Sequence, residues 1–431
     1  MAKGVQNEMD IVSLAEQAAS EAQETLLHME SARSHFGSEV ILRAFEVEQS
    51  GAAQLLAAFS KDPSFGDIRN GWIQDAFGGG HQVQSRAFPY QLINCVMDGQ
   101  SAKKLVEEAR AFAAAPACAT EIYTPLAGAT LDKAVSLRGD VDLLPWGDVP
   151  DGYQKAVFDE VPHRSMQPKG DLALRFRTAS NQVLFPSFKQ AEAAGRLPPT
   201  ESSKQNKLLV DDMVRCVAAL NESHVVALGH WAQFEQQVAT LCFARSYSKG
   251  PALSDVSAHL ATRNPRALDG ELITRFFHDF GEFSPAEINV MRIGLDRLNL
   301  ALGREEIVDR AIDLGISLEV MLLHGIRERT EMTYRASIRG ATFLGGSQQD
   351  RMKTFKLLRV AYDLRSKAVH TGELKMGKKY NGPPPKDLLE DAANLCASVA
   401  RTLIKRGSFP DWETEYVVGV DTRESKGTLP F

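Results

Sequence analysis

The sequence predicts an α+β fold, in which a mixed N-terminal part with a small antiparallel sheet is followed by an all-α bundle. Residues 8–60 repeat Ala, Leu and acidic positions at helical spacing. Residues 118–188 consist of short β-branched and aromatic runs separated by Gly, Pro and Asp, a pattern typical of strands. Helical spacing returns at about residue 208 and continues to about residue 406. Runs of strands and runs of helices that occupy separate parts of a chain indicate an α+β protein.

These changes of pattern divide the chain into segments. Residues 1–115 are predicted to be a helical N-terminal region of unclear fold. Residues 116–200 are predicted to be a small β-rich region that belongs to the N-terminal domain. Residues 205–406 are predicted to be helical, with the bundle at about 270–406, and residues 407–431 to form an irregular tail.

The composition is that of an ordinary globular protein. The chain has 431 residues, of which 44% are hydrophobic and 24% charged. Its five cysteines are scattered and form no CxxC pair, which argues against a disulfide framework or a zinc site and favours a reducing compartment. The chain opens with no basic segment followed by an apolar one, and it contains no run of eighteen apolar residues. We therefore expect a cytoplasmic protein with no membrane association.

Basic residues are concentrated in one stretch of the predicted bundle, residues 335–379. The formal net charge of the chain is −6. Residues 335–379, by contrast, hold eleven Lys or Arg side chains against three acidic ones, a net charge of +8. A locally basic face on an acidic protein indicates a polyanionic ligand at that face, although a solvated basic surface explains the charge equally well.

The predicted helix at residues 305–325 carries a carboxylate in an unusual position. A helical wheel gathers its other polar side chains on one narrow face, namely Asp309, Arg310, Asp313 and Ser317. Glu319 falls within the apolar arc, where desolvation costs several kcal/mol unless the charge is paired. The sequence therefore predicts an arginine partner from another helix, with Arg335, Arg339 and Arg365 as candidates. Such a pair would hold the bundle in register, and the alternative is a direct catalytic role for Glu319. Both can hold, since a buried carboxylate could orient a working arginine.

A second amphipathic helix is predicted at residues 351–371. Arg365 lies beside its apolar stripe, and Gly372 is the natural residue to end it. His370 then lies in the last turn, where the helix dipole favours a cation. Arg365 and His370 are five residues apart, so their side chains point about 140° apart on one helix. One helix does not aim both residues at the same phosphate unless the helix end distorts or two copies of the helix meet.

The segment LRSKAVHTG, residues 364–372, resembles the R-x4-H signature of HEPN-domain proteins. The ordered segments DRAIDLGISLEVML, YRASIRGATFLG and YDLRSKAVHTG are similar to the Apea-like branch of that superfamily. The resemblance extends over about residues 205–375. It implies a HEPN-type four-helix bundle, and many such modules are metal-independent endoribonucleases that act as homodimers.

The resemblance assigns roles to individual residues. Arg365 and His370 match the catalytic motif, and Glu319 and Arg339 match positions usually present in the branch. Many active members carry Asn, Asp or His after the arginine, whereas this chain has Ser366, which could still position the imidazole from one turn away. We further expect three basic side chains to bind RNA, namely Arg335, Arg359 and Lys367.

The implied reaction is cleavage of RNA by attack of a ribose 2′-hydroxyl on the adjacent phosphate, without metal or other cofactor. A transfer RNA is a plausible substrate, because its anticodon loop is an exposed single strand. Apea-like proteins are associated with prokaryotic defence against phage by abortive infection, and a phage-derived or nucleic-acid trigger could act on the N-terminal part. The alternative is a non-catalytic module for dimerisation or for binding RNA or nucleotides, in which Glu319 occupies Arg365.

Overall fold

The computed structural model describes residues 2–27, 43–65, 72–74, 80–82, 86–114, 117–151, 155, 170–181, 200–234, 247–249, 265–325, 330–374 and 382–416. The helices among these residues are α1 (Ala2–Leu27), α2 (Gly51–Lys61), α3 (Ala87–Met97), α4 (Ala102–Ala114), α5 (Thr200–Asn221), α6 (Gly270–Gly281), α7 (Pro285–Gly303), α8 (Ile307–Leu322), α9 (Met332–Leu344), α10 (Gln348–Thr371), α11 (Pro385–Arg406) and α12 (Trp412–Tyr416). The strands are β1 (Trp72–Gln74), β2 (Gly80–Gln82), β3 (Ala117–Ala127), β4 (Ala129–Thr130), β5 (Val135–Arg138), β6 (Val141–Pro145), β7 (Leu172–Asn181), β8 (Val226–Ala227), β9 (Gly229–Phe234), β10 (Tyr247–Lys249) and β11 (Arg266–Ala267). The predicted α+β class is confirmed.

Helices α1 to α4 enclose a hydrophobic core of their own. Its members include Leu55, Phe59, Phe65 and Phe88, all of which are buried. Strands β1 and β2 form an antiparallel pair within the same stretch of sequence. The N-terminal region is thus mainly helical, as its spacing indicates, and it contains a short two-stranded ribbon.

A seven-stranded sheet follows, with the order β10-β9-β3-β7-β6-β5 and β8 paired to β3. All of its described pairs are antiparallel, and the long central pair of β3 and β7 runs from Ala117↔Asn181 to Leu126↔Leu172. Successive side chains of β3 face opposite sides. Ile122 therefore enters the core that contains the helices, whereas Tyr123 stacks on Trp231 in a small aromatic cluster.

Two features of this sheet differ from the sequence prediction. Strands β8, β9 and β10 lie within the stretch that was predicted to be nearly all helical after residue 207. Strands β8 and β9 gain their stability from pairing with β3, and β10 from pairing with β9, rather than from a local pattern. The assignment of residues 116–200 to the N-terminal domain also needs correction. One face of the sheet shares a single core with helices α5 to α11, and this core is separate from that of α1 to α4.

Gly128, between β3 and β4, is a position where only glycine fits. Its φ is +107°, and a Cβ atom there would lie 2.0 Å from the carbonyl oxygen of His224. We expect Gly128→Ala to lower the free energy of unfolding by about 3–4 kcal/mol, because both the backbone conformation and the contact oppose a side chain.

Gly139 is the matched control, since its φ is +48° and a Cβ meets nothing within 4 Å. Its replacement by alanine should cost about 1–2 kcal/mol. Urea unfolding of both variants checks this, and equal losses would contradict it.

The helical part is built around α8, which packs against α7, α10 and α11. Local signals fix the ends of the helices beside it. The Ser347 side chain accepts from the backbone N–H of Asp350 in a complete capping box, so α10 begins at Gln348. Gly372 has φ +66° and follows the last residue of α10, so the predicted end of this helix is confirmed.

The tail after α11 is not wholly irregular, in contrast to the prediction for residues 407–431. Its described part, residues 407–416, contains the short helix α12, which docks on the bundle through aromatic contacts. Trp412 is buried, with its ring 5.3 Å from that of Phe343 and 5.8 Å from that of Tyr416. Buried aromatic contacts of this kind hold a terminal segment without a strong local pattern.

None of the described helices is both long and apolar enough to cross a bilayer.

Candidate functional site

The centre of the candidate site is an ion pair between α8 and α10. Arg365 donates a hydrogen bond from Nη2 to Oε2 of Glu319 over 3.3 Å. The side chain of Arg365 is 33% exposed and that of Glu319 is 25% exposed, so the pair lies at the edge of the bundle. The prediction that Glu319 has an arginine partner on another helix is confirmed, and the partner is Arg365.

Gly315 on α8 makes room for this arginine. A Cβ atom at Gly315 would lie 2.3 Å from Cγ of Arg365 and 2.8 Å from its Cβ. The stem of Arg365 therefore crosses α8 directly over the glycine backbone. This contact fixes where the guanidinium emerges, and the sequence analysis did not identify it. A glycine within a helical pattern lowers helix stability and signals such a close approach.

Two of the four polar side chains that the helical wheel gathers on one face of α8 are buried, namely Asp313 and Ser317, whereas Asp309 is exposed. Asp313 is 3% exposed and accepts hydrogen bonds from Arg297 and Arg304. Ser317 is fully buried, donates to the carbonyl oxygen of Gly294 and accepts from the thiol of Cys396. Because α8 is surrounded by other helices, its polar side chains find specific partners instead of water. The less buried side of α8 is the one that carries Glu319.

Burial determines the electrostatics of the pair. Desolvation raises the pKa of the Glu319 carboxyl above its ordinary value, although the positive charge of Arg365 opposes the rise. Burial also raises the pKa of the neighbouring Tyr362 phenol, and the charge of Glu319 adds to that effect. The Tyr362 hydroxyl and Nε of Arg365 are both buried, and neither has a hydrogen-bond partner among the described residues. The charges of Glu319 and Arg365 therefore compensate each other only in part, and the hydrogen-bonding capacity of Arg365 is not used up.

The raised pKa of Glu319 predicts a specific dependence of stability on pH. A carboxyl whose pKa is higher in the folded state binds more protons when folded, so the protein loses stability as the pH rises from the unfolded pKa, about 4.3, through the folded one. Glu319→Gln cannot ionise and should lack this loss. We expect the difference in urea midpoint between Glu319→Gln and the wild type to shift in favour of the variant from about pH 4 to pH 8. Parallel pH profiles of the two proteins would contradict the prediction.

His370 and Ser366 lie on the exposed surface of α10, and Arg365 is half-buried. The five-residue spacing turns His370 about 140° away from Arg365. A single chain therefore presents the predicted catalytic residues on different sides of α10. The structure brings Arg365 together with Glu319, not with His370.

Arg339 has a different place from the one expected. It is 5% exposed, donates from Nη1 to the carbonyl oxygen of Leu322, and lies 5.3 Å from the centroid of the Trp412 ring. It thereby supports the last turn of α8 and connects it to α12. Any effect of Arg339 on Glu319 would act through the position of α8.

The three predicted RNA-binding side chains follow the surface of α9 and α10. Arg359 is exposed and lies 6.0 Å from the centroid of the Phe355 ring. Lys367 is also exposed, and it lies one turn before Thr371, the last residue of α10. Arg335 on α9 is half-buried. These positions agree with a basic surface that runs along α10 toward its C-terminal end.

Within the described ranges, no three His, Cys, Asp or Glu side chains lie close enough together to hold a metal ion. Comparisons with protein-family models, curated proteins and solved structures produced no match to this chain.

Proposed function

We propose that the protein is a metal-independent endoribonuclease with a HEPN-type bundle, in which Arg365 and His370 are the working residues. The observation that carries the proposal is the unused hydrogen-bonding capacity of Arg365. A guanidinium has five N–H donors. Within the described part of the chain, Arg365 makes a single long bond to Glu319, and its Nε is buried without a partner. Because the side chain is 33% exposed, a phosphate could approach it and accept the remaining bonds.

In the proposed reaction the ribose 2′-hydroxyl attacks the adjacent phosphorus and the bond to the 5′-oxygen of the next nucleotide breaks. The products are a 2′,3′-cyclic phosphate and a free 5′-hydroxyl. His370 would remove the 2′-hydroxyl proton or donate a proton to the leaving oxygen, because imidazole exchanges protons near neutral pH. Arg365 would neutralise the charge that builds on the phosphorane oxygens. One proton leaves the 2′-hydroxyl and one proton reaches the leaving 5′-oxygen, so the proton count balances without a metal ion.

The 140° between Arg365 and His370 favours a site shared by two copies of the chain. In a homodimer that pairs two α10 helices, His370 of one copy could act with Arg365 of the other. Val369, one turn beyond Arg365, is 52% exposed and is an apolar side chain that a second copy would cover. The exposed Val369 supports this arrangement, since water otherwise contacts it.

A role in anti-phage defence belongs to the same proposal. Uncontrolled RNA cleavage would harm the cell that makes the enzyme, so such an activity requires restraint. The helices α1 to α4 have their own core, which is a property expected of a separate sensing module. Transfer RNA remains the proposed substrate class, and the cytoplasm the proposed location.

A second candidate function is a non-catalytic module for dimerisation or for binding RNA or nucleotides. The contact between Arg365 and Glu319 favours it, because an arginine engaged by a carboxylate is less available to phosphate. The two functions differ in whether the protein turns over RNA.

The deciding experiment incubates the full chain with total RNA in excess EDTA. The proposal predicts cleavage under these conditions, and none of an oligonucleotide with a 2′-deoxyribose at the scissile position. It also predicts that mixing Arg365→Ala with His370→Ala protein restores activity that neither has alone, because mixed dimers contain one intact pair. Complete inhibition by EDTA would contradict the metal-free mechanism, and binding without cleavage would favour the second candidate.

A further inference from the structure

Aromatic and basic side chains share one face of α9 and α10. The rings of Tyr334 and Phe355 meet edge to face, with their centroids 6.0 Å apart. The guanidinium of Arg359 lies 6.0 Å from the centroid of the same Phe355 ring. Tyr334 nevertheless remains 53% exposed, and Met352, one turn before Phe355, is 49% exposed. Scattered exposed apolar side chains are ordinary, but a contiguous group of them beside a basic side chain marks a binding surface.

The direction of this surface can be derived from the helix geometry. On a helical wheel for α10, five side chains fall within about 40° of one line, namely Met352, Phe355, Arg359, Ser366 and His370. Phe355 and His370 therefore lie on one stripe of α10, and Tyr334 of α9 contacts that stripe at Phe355. The rise of the helix places Phe355 about 22 Å from His370 along the axis, a distance that a few nucleotides can span.

The charge of α10 favours a polyanion as the occupant of this stripe. Residues 351–367 contain six basic side chains and a single acidic one, Asp363. Phosphates need such charges along their path, while each unpaired base offers a flat face to an aromatic ring. The combination of an exposed tyrosine, an arginine beside an aromatic ring and a basic helix is what single-stranded nucleic acid requires.

We infer that Tyr334, Phe355 and Arg359 form a base-stacking subsite for single-stranded RNA, located a few nucleotides from the phosphate at His370. Tyr334 stacks on an unpaired base, Phe355 supports the tyrosine ring, and Arg359 contacts the backbone. The inference rests on the proposed ribonuclease function for the choice of RNA and for the role of His370. It adds a requirement that the substrate be unpaired at a fixed distance from the scissile bond.

The test measures binding of a labelled, unstructured oligoribonucleotide of about 12 nucleotides to the full chain in EDTA, by fluorescence anisotropy. All proteins carry His370→Ala to prevent cleavage. We expect Tyr334→Ala to weaken binding by about 5- to 150-fold, the range for loss of one stacked base, and Tyr334→Phe to retain binding. The matched control is Ile293→Ala, which removes a side chain that is 51% exposed on α7 and should leave the affinity unchanged. Circular dichroism melting confirms that each variant is folded.

Salt dependence separates stacking from charge. Tyr334→Ala should shift the plot of log affinity against log salt without changing its slope, whereas Arg359→Ala should reduce the slope by about 0.7. An oligonucleotide with one abasic position should bind the His370→Ala protein more weakly than the intact oligonucleotide does. The double variant that also carries Tyr334→Ala should bind the two oligonucleotides equally well.

Unchanged RNA affinity of Tyr334→Ala would overturn the inference. An effect on self-association alone, or no RNA binding by any of the proteins, would overturn it as well. Cleavage by the wild type is measured separately, so failure of this subsite leaves the proposed ribonuclease activity to its own test.

Discussion

Replacement of His370 by alanine is expected to lower the rate of RNA cleavage by about 10²–10⁴-fold, the usual contribution of a general acid or base. Arg365→Ala should cost about 10²–10³-fold, since it removes a donor to the charged transition state. Arg365→Lys should recover little of this loss, because a lysine ammonium cannot replace a planar guanidinium. Both effects should appear in the rate constant of cleavage measured under single-turnover conditions, with RNA affinity largely retained.

The chain offers matched controls for these variants. Arg275 and His278 are exposed residues of the same two types on α6, outside the basic segment. Arg275→Ala and His278→Ala should cleave RNA at the wild-type rate. If they impaired cleavage as strongly as the α10 variants, the activity would depend on surface charge in general and the assignment of Arg365 and His370 would be wrong.

The second large effect is expected at Gly315. In Gly315→Ala the new methyl group would meet the Cβ and Cγ atoms of Arg365, which lie near the backbone and cannot simply rotate away. Arg365 must change rotamer or α10 must move, at a cost of about 1–3 kcal/mol that the higher helix propensity of alanine offsets by about 1 kcal/mol. A displacement of about 1 Å at a catalytic group can cost about 10²-fold in rate. We therefore expect a modest loss of stability and a loss of cleavage near 100-fold.

Gly294→Ala is the control for this prediction. Gly294 also lies in a tightly packed helix, but its nearest neighbours are atoms of the flexible Met321 side chain, the closest at 3.0 Å. It should change stability to a similar extent and leave cleavage intact. Equal losses of activity in the two variants would indicate that the bundle as a whole, rather than the position of Arg365, limits the reaction.

The need of Glu319 for an arginine could be predicted from the sequence, because a carboxylate among apolar side chains must be compensated. The choice among the candidates could not. Arg335 and Arg339 are one turn apart on α9, and local sequence does not say that Arg339 instead reaches the carbonyl oxygen of Leu322. The end of α10 was predictable, since the left-handed conformation at Gly372 is a local preference of glycine.

The errors arose where contacts distant in sequence decide the structure. The helical wheel places Asp313 and Ser317 on one polar face, but it does not show that both are buried there and satisfied by Arg297, Arg304 and Cys396. A wheel does not show which side of a helix faces water, and in α8 the less buried side is the one that carries Glu319. The membership of the sheet in the core of the bundle likewise depends on packing that no short segment encodes.

The measurement that tests the central claim most directly is the chemistry of the new RNA ends after digestion in EDTA. The proposed mechanism predicts a 2′,3′-cyclic phosphate on one fragment and a 5′-hydroxyl on the other, both produced by the wild type and both formed about 10²–10⁴-fold more slowly by His370→Ala. Ends that carry a 3′-hydroxyl and a 5′-phosphate, or the same ends formed at the same rate by His370→Ala, would contradict it.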